Sequence, residues 1–420
     1  MISRKPAVGL VWGCTFAFVF ALVFVVAGPA CRMAADPKEN ADDALALAQG
    51  CNAFATDLYA GLRGDKATNL FFSPYSVSLA LAMTYAGAEG ETAAQMAKVL
   101  HLPAPAAKVP PAFGALRNLL DAGDKTPGFE LRIANRLWGQ QGFHFLPAFL
   151  EVTRDNFGAD LGLLDFTKTE AARKTINAWI EKQTDDKIRD LLAPGVLSDG
   201  TRLVLTNAIY FKARWTHEFG KGATTDAPFH VSAATEIAVP TMHQTNRFRY
   251  AAADDTQVLE LPYGPAGSLS MIVLLPGKID GLADLEKRLT GENLQKWLAA
   301  LQPRPVKVDL PKFKLTAEFG LSDALATMGM PLAFSGQADF SLMSTQERLF
   351  ISAVIHKAFV DVNEEGTEAA AATAVSMKAS AAPVAQEPVE FRADHPFVFL
   401  IRDRRTQSIL FLGRLTNPKE

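Results

Sequence analysis

Cysteine is scarce in this chain. Only Cys14, Cys31 and Cys51 occur among 420 residues, too few for a disulfide framework or a four-cysteine zinc site. An excess of one charge is missing as well: 42 Lys and Arg stand against 45 Asp and Glu, a net charge of −3. With no basic surplus and no block of like charge, no nucleic-acid partner is expected. The motifs of common catalysts are also absent. There is no G-x-S-x-G elbow to expose an activated serine, no H-E-x-x-H and no G-x-x-x-x-G-K-[ST]. The seven histidines, at 101, 144, 217, 230, 243, 356 and 395, are scattered singly without ligand spacing. Adjacent carboxylates such as Asp185-Asp186 and Asp254-Asp255 diverge on a helix or strand, which suits a solvated surface better than an acid–base pair. No metal, no cofactor and no enzymatic activity are expected.

Apolar residues, by contrast, are plentiful. They make up 49% of the chain, enough for a large core and too many for global disorder. Arg4 and Lys5 precede an uncharged stretch from Val8 to Ala27, the pattern of an export signal. That stretch is also long enough to span a bilayer. Gly28-Pro29-Ala30-Cys31 closes it and resembles a bacterial lipoprotein signal, in which Cys31 would carry the lipid; plain cleavage and an uncleaved anchor are the alternatives. Residues 1–30 are therefore expected to be a signal, 31–41 a linker and 42–420 the folded body. The body is placed in an extracellular or periplasmic compartment. It would meet a membrane only through the N-terminal segment or a lipid on Cys31.

Within the body, helical spacing comes early and strand spacing late. Leu47, Cys51, Phe54, Leu58 and Leu62 recur at helical intervals, and Ser73-Pro74 is an N-cap followed by a proline at the first helical position. Ile176, Trp179, Ile180 and Leu191 suggest a further helix. Leu203 to Phe211 is almost continuously apolar, as in a strand buried on both faces. Val306, Val308 and Leu310 alternate with Lys307 and Asp309, the mark of a half-buried strand. The runs 269–275, 350–362, 397–401 and 409–412 add strands. With no βαβ repeat the class is α+β. His356 lies inside an apolar strand, which suits a hydrogen-bonded core residue better than a proton-transfer group.

Several segments, in order, resemble one family, the serpins. They are Asn69-Leu-Phe-Phe-Ser-Pro-Tyr-Ser-Val-Ser78, Thr206-Asn-Ala-Ile-Tyr-Phe-Lys-Ala-Arg-Trp215 and Leu310-Pro-Lys-Phe313. Val360-Asp-Val-Asn-Glu-Glu-Gly-Thr-Glu-Ala-Ala-Ala-Ala372, Asp394-His-Pro-Phe-Val-Phe-Leu400 and Phe411-Leu-Gly-Arg-Leu415 follow. The resemblance covers about residues 42–418. It implies three β-sheets, eight to nine helices and an exposed reactive loop over about residues 364–390. It further implies a monomeric suicide inhibitor of a protease, whose cleaved loop inserts into the main sheet. The alternative is a non-inhibitory serpin-fold binding or chaperone-like protein.

By the same resemblance, Ser73, Ser76, Asn207 and His356 occupy the shutter that holds the sheet closed. Trp215, Lys312 and Glu364 match the breach, where the loop enters, with Lys312 and Glu364 as an ion pair. Gly366, Thr367, Glu368, Ala369, Ala370, Ala371 and Ala372 form the hinge. Their alternation supports insertion. Thr367, Ala369, Ala371, Thr373 and Val375 share one small, uncharged face, whereas the other face carries the only charge, Glu368. Gly366 supplies a pivot, and no proline occurs before Pro383. Before cleavage, Thr367 is expected at the loop's exposed base.

The family's usual loop length, counted forward from Gly366, puts the scissile bond at Ser380-Ala381; counted back from the Phe391 strand it falls one to three residues later, and a register two residues shorter would place it at Lys378. Small residues on both sides favour an elastase-like serine protease or a papain-like cysteine protease, while Lys378 would invite a trypsin-like one. Arg117 stands without a dense basic face in residues 108–125, so no polyanion cofactor is expected.

Overall fold

The structure, a computed structural model, describes residues 1–3, 37–64, 68–103, 105–124, 129–346, 348–367 and 387–420. The chain divides into Met1–Asp36 and Pro37–Glu420, and the fold belongs to the second unit. Cys31, Glu368, Ala369, Ala370, Ala371, Ala372, Ser380 and Ala381 lie outside the described residues.

Nine α-helices occur among the described residues. The helix α1, Pro37–Leu62, starts inside the stretch expected to be linker. Proline tolerates the first helical turn because the N–H it lacks would have no partner there. The next helix, α2, spans Pro74–Tyr85, and all twelve of its residues are buried. Its sequence is small and apolar on every side, so it can only be a core element. Ser73 caps it, accepting from the Ser76 N–H at 3.2 Å. The helix Thr169–Gln183 holds Ile176 and Ile180 in a second core, but Leu191 packs there from beyond the helix end.

The strands begin with β1 Leu70–Phe72, β2 Phe129–Gln140, β3 Gly162–Leu164, β4 Leu203–Arg214, β5 Thr225–Ser232, β6 Thr235–Ala253, β7 Thr256–Tyr263 and β8 Leu269–Pro276. They continue with β9 Gln302–Pro311, β10 Phe313–Gly320, β11 Ile351–Asn363, β12 Gly366–Thr367, β13 Val389–Arg392, β14 Phe397–Asp403 and β15 Ile409–Leu415. They form three sheets' worth of strands in two hydrogen-bonded systems. One has six strands in the order β10-β11-β12-β4-β2-β3. The other has nine, because the 19-residue β6 pairs with β5 through its first half and with β7 through its last residues. The expected strands at 203–211, 269–275, 306–310, 350–362, 397–401 and 409–412 are all present. The polar hairpins of β5 to β7 carry too little apolar alternation to be marked in advance; β6 even holds Pro240.

The six-stranded sheet positions the site. Strands β11 and β4 run parallel and pair from Ile351↔Leu203 to Phe359↔Tyr210. Beyond Phe359 they diverge, and β12 fills the gap. Thr367 pairs with Val362 on one side and Ala213 on the other; Gly366 pairs with Asn363 and Arg214. Helix α2 packs beneath, against β2, β4 and β15.

Candidate functional site: a sheet clasped at its centre and threaded at one end

His356 faces Asn207 in the register of β11 and β4, and both are fully buried. The Ser73 N–H donates to His356 Nε2 at 3.0 Å, so that nitrogen carries no hydrogen. The proton therefore sits on Nδ1 and is donated to Asn207 Oδ1. Burial pushes the imidazole down from its ordinary 6.5 to about 3, so the ring is neutral.

The Asn207 amide donates at 2.6 Å to both Ser76 Oγ and Asn135 Oδ1. Ser76 Oγ in turn donates to Asn135 Oδ1 at 2.9 Å, and the Asn135 amide returns a bond to the Ser76 carbonyl at 3.0 Å. Ser73 Oγ donates to the Leu410 carbonyl at 2.6 Å, which ties the network to β15. The four residues expected to meet do meet, and Asn135 joins them. A lone asparagine in the stretch Ile133-Ala134-Asn135-Arg136-Leu137 was its only sequence signal. Every polar atom on the Asn207–Ser76–Asn135 triangle finds a partner, as a buried network requires.

At the other end of the sheet, Glu364 and Glu365 form the two-residue turn between β11 and β12. Lys312 Nζ lies 3.0 Å and 2.9 Å from the two Glu364 oxygens, and Thr224 Oγ1 donates to Oε1 at 2.8 Å. Burial pushes the Glu364 carboxyl up, but the hydrogen bonds from Lys312, backbone and Thr224 outweigh it and hold the carboxyl below its usual range. Glu365 pairs with Lys221, while its other oxygen is buried without a hydrogen-bond partner among the described residues.

The turn's carbonyls are held too. Phe219 N–H donates to Glu364 and Trp215 N–H to Glu365, each at 2.9 Å. The Trp215 indole donates to the Asn363 carbonyl at 2.9 Å and stacks on Tyr263, with ring centroids 4.3 Å apart. Thus Trp215, Lys312 and Glu364 are brought together as expected. Lys221, Thr224 and Tyr263 were not foreseen, because they lie outside the recognised stretches; Glu365 lies inside one but was given no role.

Thr367 requires a correction. It does not lie at an exposed loop base: its relative exposure is 0%, and its hydroxyl sits 2.8 Å from the Tyr263 hydroxyl. The physical reason is that Gly366 allows the chain to turn straight into the gap between β11 and β4. Its φ is +151°, and a Cβ there would stand 2.0 Å from the Ala213 carbonyl oxygen. Thr367 belongs to the small, uncharged face of the alternation, and in the intact protein its hydroxyl already meets the buried Tyr263. Asp185, Asp186, Asp254 and Asp255 occupy positive-φ turn positions. Cys51 is buried, which pushes its thiol up to about 12 and leaves it inert.

Comparison with known proteins bears directly on this arrangement. The sequence profile described as serpin, serine protease inhibitor, matches residues 49–418. The leukocyte elastase inhibitor of Bos taurus is 45% identical over 375 residues, covering 87% of this chain and 97% of that protein. An uncharacterised serpin-like protein of Thermococcus kodakarensis is 43% identical over 373 residues, covering 88% of this chain and 85% of that one. Among solved structures, Serpin48 of the insect Tenebrio molitor superposes with a TM-score of 0.79 at 33% identity, over 88% of this chain and 98% of its own. Motifs, relatives and fold agree: the chain belongs to the serpin family.

Proposed function

We propose that this serpin inhibits an elastase-like protease as a suicide substrate, with Ser380-Ala381 as its bait. It is an inhibitor, not an enzyme. The observation that carries the proposal is the gap between β11 and β4, already occupied at one end by Gly366 and Thr367. A sheet that holds two residues of an inserting strand has room for more if the pairs from Phe359↔Tyr210 to Ile351↔Leu203 separate. In this reading the His356–Asn207–Ser76–Ser73 network acts as the shutter on that separation. Lys312, Glu364 and Trp215 form the breach that anchors the loop's root.

The chemistry needs nothing from this chain except a cleavable bond and a fast response. The protease's nucleophile forms an acyl bond to the Ser380 carbonyl carbon. The bond to the Ala381 nitrogen breaks, and that nitrogen takes the proton. The new chain end then travels with the inserting strand before water reaches the acyl bond. Small residues at both positions, and the bovine relative's name as an elastase inhibitor, support the elastase-like class.

The test is incubation with elastase-like, papain-like and trypsin-like proteases, followed by denaturing electrophoresis and mass spectrometry. A denaturant-resistant band of summed mass with the elastase-like enzyme, and a released fragment beginning at Ala381, are expected. A fragment beginning at Ala379 would move the site to Lys378. Cleavage without complex would leave a non-inhibitory serpin.

Residues 1–30 are further proposed to export the protein, on the strength of Arg4 and Lys5 ahead of the uncharged 8–27 stretch. Intact-mass measurement of the product secreted by a bacterial host tests it. A chain starting at Cys31 with added lipid mass supports the anchor, and an unprocessed Met1 contradicts signal cleavage.

A further inference from the structure

The hinge clamp contains one group that no motif pointed to and that acts directly on the loop. Tyr263 ends β7 and is fully buried. Trp215 stacks on one of its faces, and Phe211 meets its ring nearly edge-on, with centroids 5.4 Å apart. Held this way, the ring cannot swing, and its hydroxyl has one side-chain partner among the described residues, Thr367 Oγ1. Burial pushes the phenol up, so it stays protonated and available as donor or acceptor.

We infer that Tyr263 is a positioning residue for inhibition: its hydroxyl holds Thr367 threaded in the sheet, so insertion after cleavage starts from a residue already in register. This rests on the loop-insertion reading above. Two observations make the hydroxyl, rather than general packing, the relevant feature. First, among the described residues this is the one side-chain hydrogen bond that reaches β12, and it adds to the ladder pairing of Gly366 and Thr367 with β11 and β4. Second, Gly366, at a φ of +151°, is a pivot with many accessible conformations, so a side-chain bond at the next residue fixes which way the chain goes.

A threaded end matters because the outcome is a race. The acyl bond hydrolyses at a rate set by the protease, whereas insertion must first form a nucleus between β11 and β4. With Gly366 and Thr367 in register, that nucleus exists before cleavage. Without the tether, the first two pairs must form during the lifetime of the acyl-enzyme, and more inhibitor is consumed as substrate. The Lys221–Glu365 and Lys312–Glu364 pairs hold the turn behind the hinge, but neither touches Thr367.

The test uses the full chain with a protease that the wild type inhibits, and compares Tyr263→Phe, Thr367→Val, Thr367→Ser and the Phe/Val double variant. Moles of inhibitor consumed per mole of protease inactivated should rise about two- to tenfold for Tyr263→Phe and for Thr367→Val, the range expected from losing one buried hydrogen bond. The double variant should show no further rise, and Thr367→Ser, which keeps the hydroxyl, should stay near wild type.

Hydrogen exchange over residues 363–367, which needs no protease, should be slow in the wild type and faster in Tyr263→Phe. Equal stoichiometry in wild type and Tyr263→Phe, additive effects in the double variant, or unprotected wild-type amides would each overturn the inference. A wild type that is cleaved without forming a complex would instead sink the inhibitory reading, leaving the exchange measurement to decide whether Tyr263 holds the hinge.

Discussion

At the scale of single residues, burial has made several polar groups unforgiving. His356 is the clearest. Its folded pKa is about 3 against an ordinary 6.5, so the unfolded chain binds the extra proton first. Stability from this residue is therefore fully present above about pH 6.5 and is lost as pH falls toward 3, at up to about 1.4 kcal/mol per pH unit. Protonation would also set two N–H groups, on Ser73 and on Nε2, against each other. Denaturation of the wild type and His356→Gln between pH 7 and pH 4 should show the wild type losing more; parallel curves would contradict the assignment.

Thr367→Arg gives a second prediction. Because Thr367 is already buried, the arginine should disturb the intact protein as well as block insertion. A lower melting temperature and faster exchange at residues 363–367 are expected, together with loss of inhibition, since a buried unpaired charge costs several kcal/mol. Unchanged exchange in the variant would contradict the burial. Ser73, Ser76, Asn207 and His356 were legible because each sits in a recognisable stretch. Asn135 and Tyr263 were not, because their meaning comes only from strands brought together by folding.

Elements were easier to read where their pattern has one physical cause. An almost continuously apolar run such as Leu203 to Phe211 suits a strand with both faces covered, and β4 is that strand. The small, featureless α2 announced itself through Ser73-Pro74 at its start. The burial of Thr367 escaped the sequence because alternation tells which residues share a face but not where along the chain the sheet takes them up; the paired registers reveal it. Those registers also say where the rest of the loop would go. Thr367 opposes Ala213 and Val362, so residue 373 would arrive opposite Asn207 and His356. The inserting strand must therefore break the His356–Asn207 bond as it passes, and Thr373 brings a hydroxyl that can bond to either. Thr373→Glu should stall insertion there, and the nicked variant should gain much less thermal stability than the nicked wild type. An equal gain would disprove the register.

For the molecule as a whole, the proposed function requires a chain held short of its lowest free energy. Extending β12 would add backbone hydrogen bonds worth roughly 0.5–1.5 kcal/mol each, along with apolar burial. On the proposed function, the barrier is the His356–Asn207–Ser76–Ser73 network together with the β11–β4 pairing, which makes the trapping kinetic. Composition gave the size of the core but no hint of this, since metastability depends on which strands are neighbours rather than on how many apolar residues there are. Nicking the loop within residues 377–383 with a non-target protease, then comparing thermal melting of intact and nicked protein, tests the claim directly. The account predicts that the nicked form melts tens of degrees higher. Melting at the intact protein's temperature would show that the sheet does not take up its loop.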